Sequence, residues 1–120
     1  MDYVGIPYKS AGTDPETGLD CYGLVRYVLN TECGLHLPEQ PPSAFVWHRY
    51  VKPFRPPLPA FEKYDVLMFD DIIPGIANHI GIMVSRTDFI QAGSAFGGVV
   101  CTPVYVYRHR IMALGRPHDH

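Results

Sequence analysis

The stretch Asp20-Cys21-Tyr22-Gly23-Leu24-Val25-Arg26-Tyr27-Val28-Leu29 decides how the rest of the chain can fold. Apolar residues recur at Cys21, Leu24, Val25, Val28 and Leu29, one face of a 3.6-residue period. Asp20 is a strong N-cap residue. Gly34 suits the position just past a helix end, and Pro38 enforces the stop. The spacing predicts one helix over 21–32, with Cys21 in its first turn. From Tyr64 onward the pattern changes to short β-branched and aromatic runs separated by turn residues: Asp65–Phe69, His79–Val84, Asp88–Ala92, Gly98–Thr102, Val104–Tyr107 and Ile111–Leu114. One helix followed by strands, without alternating helices, predicts an α+β fold with an antiparallel sheet.

The flanking segments read differently. Residues 1–19 are rich in glycine and turn formers and are expected to be irregular. Residues 38–59 carry seven prolines, which excludes a long helix or a central strand there. A short helix at Ser43–Tyr50, capped by Ser43, fits within an otherwise loop-like segment.

Bulk properties narrow the function. The 120 residues form a single expected domain, 1–120, and 47% of them are hydrophobic, enough for a real core. A net charge of −2 with no basic stripe argues against nucleic-acid binding. No apolar run approaches the ~20 residues of a membrane span. The first nine residues lack the apolar core of a secretory signal. Cys21, Cys33 and Cys101 include no C-x-x-C pair and no zinc spacing with the six histidines, so no metal site is expected from the spacing. His118-Asp119-His120 reads as a frayed tail.

Cys21 is the chemically interesting thiol. The first turn of a helix has unpaired N–H groups and the positive end of the macrodipole, which favour a thiolate and can receive an oxyanion. Gly23 removes a side chain there, leaving room for a substrate or for the facing sheet. Position alone leaves a second reading open, because a lone cysteine on an apolar helix face is usually an inert core residue. A reactive cysteine needs a histidine base, itself oriented by a polar group. His79 begins the run His79-Ile80-Gly81-Ile82-Met83-Val84, and Phe89-Ile90-Gln91-Ala92 returns after a turn. A turn centred on Ser85 sets His79 directly opposite Gln91, with Cβ atoms ~4.5–5.5 Å apart. Alternation puts His79, Gly81, Met83, Phe89 and Gln91 on one face and the wholly apolar Ile80, Ile82, Val84, Ile90 and Ala92 on the other. The mixed face is equally well read as the wetter side of a half-solvated sheet.

Taken in order, these strings resemble the NlpC family of papain-like cell-wall hydrolases. The carrying residues are Gly5-Ile6-Pro7-Tyr8, Asp20-Cys21-Tyr22-Gly23-Leu24-Val25, Leu37-Pro38, Tyr64-Asp65-Val66-Leu67, His79-Ile80-Gly81-Ile82 and Ile90-Gln91-Ala92. The resemblance implies a papain-like fold with the nucleophile helix packed on an antiparallel sheet. It implies Cys21 as nucleophile, His79 as base and Gln91 as orienter, with Tyr8, Tyr22 and Asp20 near the oxyanion or substrate. The implied substrates are amide bonds of peptidoglycan stem peptides, typically between D-glutamate and a diamino acid, and the resemblance implies that no metal or organic cofactor is needed. An aromatic residue after the cysteine is similar to NlpC-type domains of bacteriophage tails. That likeness implies phage tail proteins as partners, and a place in the virion or in the bacterial cytoplasm before action on the wall. The competing implication is a tail-tip assembly or wall-binding component with little catalysis. Four departures stand out. Tyr22 replaces a small residue and is expected to reshape the cleft. Gln91 replaces the commoner histidine. Tyr64 replaces a glycine, so that turn is expected to differ. Ala11-Gly12 replaces a glycine pair.

Overall fold

The computed structural model describes residues 3–54, 60–70 and 77–118. In chain order its elements are β1 (Thr13–Asp14), β2 (Gly18–Leu19), α1 (Cys21–Glu32), α2 (Ala44–Trp47), β3 (Val51–Phe54), β4 (Val66–Asp70), β5 (Ala77–Met83), β6 (Asp88–Gly93), β7 (Gly98–Pro103), α3 (Val104–Tyr107) and β8 (Ile111–Pro117). β1 and β2 form a small hairpin. The other six strands make one antiparallel sheet in the order β3-β8-β4-β5-β6-β7. This is the expected α+β layout, and α1 has the predicted bounds. The proline-rich segment contributes only α2, where Ser43 Oγ accepts from Val46 N at 3.3 Å, and β3 on the sheet edge. There Pro53 is tolerated because an edge strand leaves half its N–H groups unpaired. Residues 55–59 of that segment lie outside the described residues.

The two faces of the β5–β6 hairpin sort the core. Leu24, Val25, Val28 and Leu29 of α1 bury themselves with Ile80, Ile82, Ile90 and Ala92 in one cluster. Each such side chain contributes ~1.5–3 kcal/mol before the entropy of ordering it. The opposite face is not the wet side: Met83 and Phe89 are fully buried, and Gln91 is 1% exposed. What covers it is α3, whose residues were expected to form a strand. Pro103 ends β7 and sits at the N-cap of α3. A helical turn then points both Val104 and Tyr107, three residues apart, into the cluster of Leu67, Phe69, Met83 and Phe89. Tyr105 and Val106 are left 68% and 53% exposed. Alternating Val-Tyr-Val-Tyr has strand propensity, and burial of the i, i+3 pair overrides it.

The hairpin register differs from the expected one. Ile82 pairs with Ile90 and Met83 with Phe89, so Gln91 faces Gly81 and is diagonal to His79. The Ser85 hydroxyl accepts from the amides of Thr87 (3.2 Å) and Asp88 (3.0 Å), and this side-chain turn moves the centre of the loop past Ser85. Parity is unchanged, so His79 and Gln91 remain on one face. Gly81 makes room for Phe89, because a Cβ there would lie 2.9 Å from its ring.

The N-terminal segment, expected to be irregular, is pinned along its length. Gly5 N, Tyr8 N and Val99 N bond across to Val99, Gly97 and Ile6 carbonyls at 2.9–3.2 Å, which covers the free edge of β7. Leu19 N reaches Pro7 O at 3.0 Å on the other side. His118 is not frayed either: its backbone N–H bonds Tyr50 O and its ring Nε2 bonds His48 O, at 3.1 and 3.0 Å. Residues 119–120 lie outside the described residues.

Both glycine replacements keep the glycine conformation. Ala11 has φ +58° and Tyr64 has φ +76°, both in the left-handed region that favours glycine. Left-handed backbone costs a side-chain-bearing residue ~1–2 kcal/mol. At Tyr64 a hydrogen bond from its hydroxyl to Glu32 Oε1, at 2.7 Å, offsets that cost; bonds to a charged group contribute ~1.5–3 kcal/mol. Glu32 also accepts from Tyr3, so one carboxylate at the end of α1 holds both the N-terminal segment and the lead-in to β4. Asp65 is buried and takes a bidentate bond from Arg116 of β8, at 2.8 and 2.9 Å, which fastens the two strands together. Ala11 is exposed and has no offsetting bond of the kind Tyr64 makes to Glu32. Ala11→Gly is therefore expected to stabilise the fold by ~0.5–1 kcal/mol after the added unfolded-state entropy is counted, read as a raised urea midpoint at constant m-value.

Candidate active site

Asp20 caps α1 through its carboxylate, which accepts from Gly23 N at 2.6 Å. Its own N–H bonds Gly12 O at 3.2 Å. A Cβ on Gly23 would fall 2.1 Å from that same Gly12 oxygen. Gly23 therefore serves close approach of the N-terminal segment, rather than of substrate or sheet. This contact sets the height of Cys21 above the start of β5.

Cys21 is half-buried. It lines two cavities, and His79 lines both. The first, about 180 Å³, is completed by Tyr22, Pro41, Trp47, Met68 and Ile80. The second, about 220 Å³, is bounded by Tyr8, Gln91, Tyr107 and the turn 92–96. Thus the fold brings Cys21, His79, Gln91, Tyr8 and Tyr22 to one cleft. Asp20 is occupied at the helix cap beside it.

The imidazole is held from behind. His79 is opposite Phe69 in the β4–β5 ladder, with ring centroids 5.9 Å apart. Its Nε2 lies 2.9 Å from Gln91 Oε1. The amide nitrogen of Gln91 donates to Thr102 Oγ1 at 3.1 Å. With the nitrogen on Thr102, the Gln91 oxygen faces the ring. An oxygen there is matched by the tautomer with the proton on Nε2, which leaves Nδ1 as the acceptor. Thr102 was missed from the sequence. Finding it needs the β6–β7 register, in which Gln91 pairs with Val100 and Phe89 with Thr102, so that Thr102 is diagonal to Gln91 on the same face.

Burial pushes the Cys21 thiol above its ordinary range, and the Asp20 carboxylate pushes in the same direction. The amides of Ile80, Tyr22 and Cys21 oppose both but do not overcome them. Both effects favour the protonated thiol over the thiolate. Tyr22 lines the cleft. It is 5% exposed, donates its hydroxyl to Pro38 O at 2.5 Å, and stands edge-on to Trp47 with centroids 6.0 Å apart.

The NlpC/P60 family pattern matches residues 5–115. The chain belongs to the NlpC/P60 family. Among similar proteins, the gamma-DL-glutamyl hydrolase of Bacillus subtilis (strain 168) is 32% identical over 90 residues, which is 75% of this chain and 21% of that protein. The murein DD-endopeptidase MepH of Escherichia coli (strain K12) is 29% identical over 92 residues, 77% of this chain and 33% of that protein. The chain thus spans about a fifth to a third of these relatives. Two solved structures share the fold. The NlpC/p60 domain of the peptidoglycan hydrolase SagA aligns with a TM-score of 0.68 at 23% identity, covering 94% of this chain and 88% of that one. An NLP/P60-family protein similar to a lipoprotein, from Staphylococcus aureus, gives 0.71 at 20% identity, covering 98% and 38%. The papain-like α+β architecture of the NlpC/P60 fold is therefore this chain's own.

The raised thiol gives a sign to the pH dependence. Iodoacetamide alkylation of Cys21, followed by mass spectrometry, is expected to keep climbing through pH 9, the ordinary thiol value, with no levelling near neutrality. A plateau below about pH 7 would instead mean a thiolate already paired with an imidazolium.

Proposed function

We propose that this chain is a cysteine hydrolase that cleaves amide bonds in peptidoglycan stem peptides, between D-glutamate and the diamino acid that follows. The observation that carries the proposal is the shared cleft of Cys21 and His79, with the ring held from behind by a buried Gln91. The named activities of the relatives support the substrate class.

His79 Nδ1 takes the Cys21 proton as Sγ attacks the carbonyl carbon. The oxyanion that forms is met by the first-turn amides of α1 and by the Tyr8 hydroxyl, which lines the same cleft. Collapse breaks the C–N bond, and the amine leaves with the proton from His79. Water, deprotonated by His79, then hydrolyses the thioester and returns the thiol. Gln91 neither gives nor takes a proton; it keeps Nε2 protonated and the ring in plane. Asp20 acts through the helix cap, holding the turn that presents Cys21.

The test is digestion of purified peptidoglycan and free stem peptides by the protein and by Cys21→Ala, with products read by mass spectrometry. Cleavage at the D-glutamyl bond that vanishes in Cys21→Ala is the expected result. Absence of any Cys21-dependent product sinks the proposal. A second reading, an assembly or wall-binding part of a phage tail tip, draws on the outward Tyr105 and Val106 of α3. It predicts undiminished wall binding and no cleavage by either protein.

Thr102 should matter through Gln91. Thr102→Val removes the acceptor at nearly constant shape, which permits the amide to rotate and present its nitrogen to His79. The expected loss is about five- to tenfold in kcat/KM, the equivalent of one hydrogen bond of ~1 kcal/mol. Thr102→Ser should restore it. Equal loss in both variants would mean that packing, not the hydroxyl, is what counts.

A further inference from the structure

The second cavity, about 220 Å³, includes an aromatic ring left in the open in its lining. Phe96 is 47% exposed and belongs to neither core cluster. Phenylalanine is ordinarily buried. A ring held in water beside Cys21 and His79 is therefore a feature of the site and not of the core.

The ring is also fixed. It lies over Gly93, where a Cβ would come within 3.1 and 3.2 Å of two of its carbons. The turn that presents it is closed by Gly97 N on Ser94 O at 3.2 Å, with Gly97 at φ +74°. Tyr8 N reaches Gly97 O at 3.2 Å and ties this turn to the N-terminal segment. Tyr107 borders the same space, braced on Phe69 and Phe89 with ring centroids 5.6 and 5.5 Å apart.

The rest of the lining limits what these rings can hold. Cys21, His79 and Tyr8 serve the proposed chemistry, and Gln91 is engaged with His79 and Thr102. Residues 92–95 complete the wall, and among the described residues no carboxylate lines it. An ammonium group drawn inside would lose its water, find no counter-ion and meet the imidazolium that forms during reaction. Methylene groups gain by leaving water for the ring surfaces. A side chain with a methylene stem and a charged tip satisfies both conditions, with the stem on the rings and the tip in solvent.

The leaving residue of the proposed substrate is of that kind. Its amine takes a proton from His79, and Gln91, which holds that imidazole, borders this cavity and not the first. The diamino acid is thus assigned to this side of the thiol. We propose that Phe96 is a specificity-determining residue which, with Tyr107, forms a platform for the methylene stem of the diamino acid. The proposal rests on the reading of the chain as a D-glutamyl–diamino acid hydrolase. It adds that the length of the stem is read, and not the charge at its tip.

The test uses three stem peptides that differ only in the residue after D-glutamate: L-lysine, L-2,3-diaminopropionate or L-norleucine. The first two share the ammonium group and differ by three methylenes. Norleucine keeps a four-carbon chain without the charge. A fully buried methylene is worth about fourfold (~0.8 kcal/mol), so a half-exposed platform gives about twofold for each. The lysine peptide is therefore expected to have a kcat/KM about eightfold above the diaminopropionate peptide, with norleucine close to lysine. In Phe96→Ala the ratio should fall towards one, and Phe96→Tyr, which keeps the ring, should hold it. Each ratio is taken within one protein, so a loss of folded fraction cancels. Equal values for lysine and diaminopropionate overturn the platform and leave the hydrolase reading intact. So does a length preference that survives in Phe96→Ala. A norleucine peptide as poor as the diaminopropionate one means that the charge is read, and overturns the platform too. No cleavage of any of the three by the parent protein overturns the hydrolase reading and the platform together.

Discussion

The dry contact between α1 and the Ile80–Ile82–Ile90–Ala92 face of the hairpin is the constraint from which the cleft follows. Helix burial on that face fixes the azimuth of α1. It does not fix its height, since a helix can slide along an apolar surface at little expense. The slide is stopped at the N-terminus, where the Gly12 carbonyl sits against Gly23 and accepts from Asp20 N–H. Apolar burial and one backbone contact together set Cys21 beside the start of β5, so that both cavities share Cys21 and His79. Any side chain at position 23 would push the helix end away from the N-terminal segment, and the thiol with it.

Much of this was legible in the sequence because the strongest signals were periodic. The helix bounds, five of the six strand runs downstream of Tyr64, and the parity that puts His79 and Gln91 on one face all follow from spacings of 3.6 and 2. What escaped depended on tertiary context. The hairpin register moved because the Ser85 side chain, not the backbone alone, closes the turn. Residues 104–107 abandoned strand structure because Phe69 and Phe89 offered a cover for Val104 and Tyr107 together. Thr102 carried no local signal, since its role exists only through the β6–β7 pairing.

The departures from the family pattern show how a local rule can be broken and offset elsewhere. Tyr64 keeps a left-handed backbone that glycine would adopt freely, and the gain that offsets the strain is its bond to Glu32. The same carboxylate takes a second phenol, from Tyr3. Burial alone would raise the Glu32 pKa, yet the two phenol bonds bring it below its ordinary value, so it stays ionised and keeps both partners. Tyr22 works similarly at the other end of α1. A bulky residue beside the thiol is accommodated by turning it away into the Pro38 carbonyl and the Trp47 ring. The side chain beside the thiol thus forms part of the cleft wall.

That wall bears on the electrostatics of the thiol. Desolvation is the main reason the Cys21 pKa is raised, and it comes from the same packing that makes the pocket apolar. Asp20 adds to the rise, a side effect of capping the helix with a carboxylate instead of a neutral oxygen; a serine cap would do the former task without the latter. Both influences favour a neutral thiol, and in the proposed mechanism charge arises only when His79 accepts its proton. At that moment the first-turn amides are already in place, and the imidazolium forms together with the thiolate. An apolar cleft then strengthens their hold on the new charges, because little water competes for them. A site of this kind gains nothing from a permanent ion pair. Its demand is that the imidazole be in the correct tautomer before substrate arrives, and that demand falls on the buried amide of Gln91 and on the hydroxyl of Thr102 that orients it.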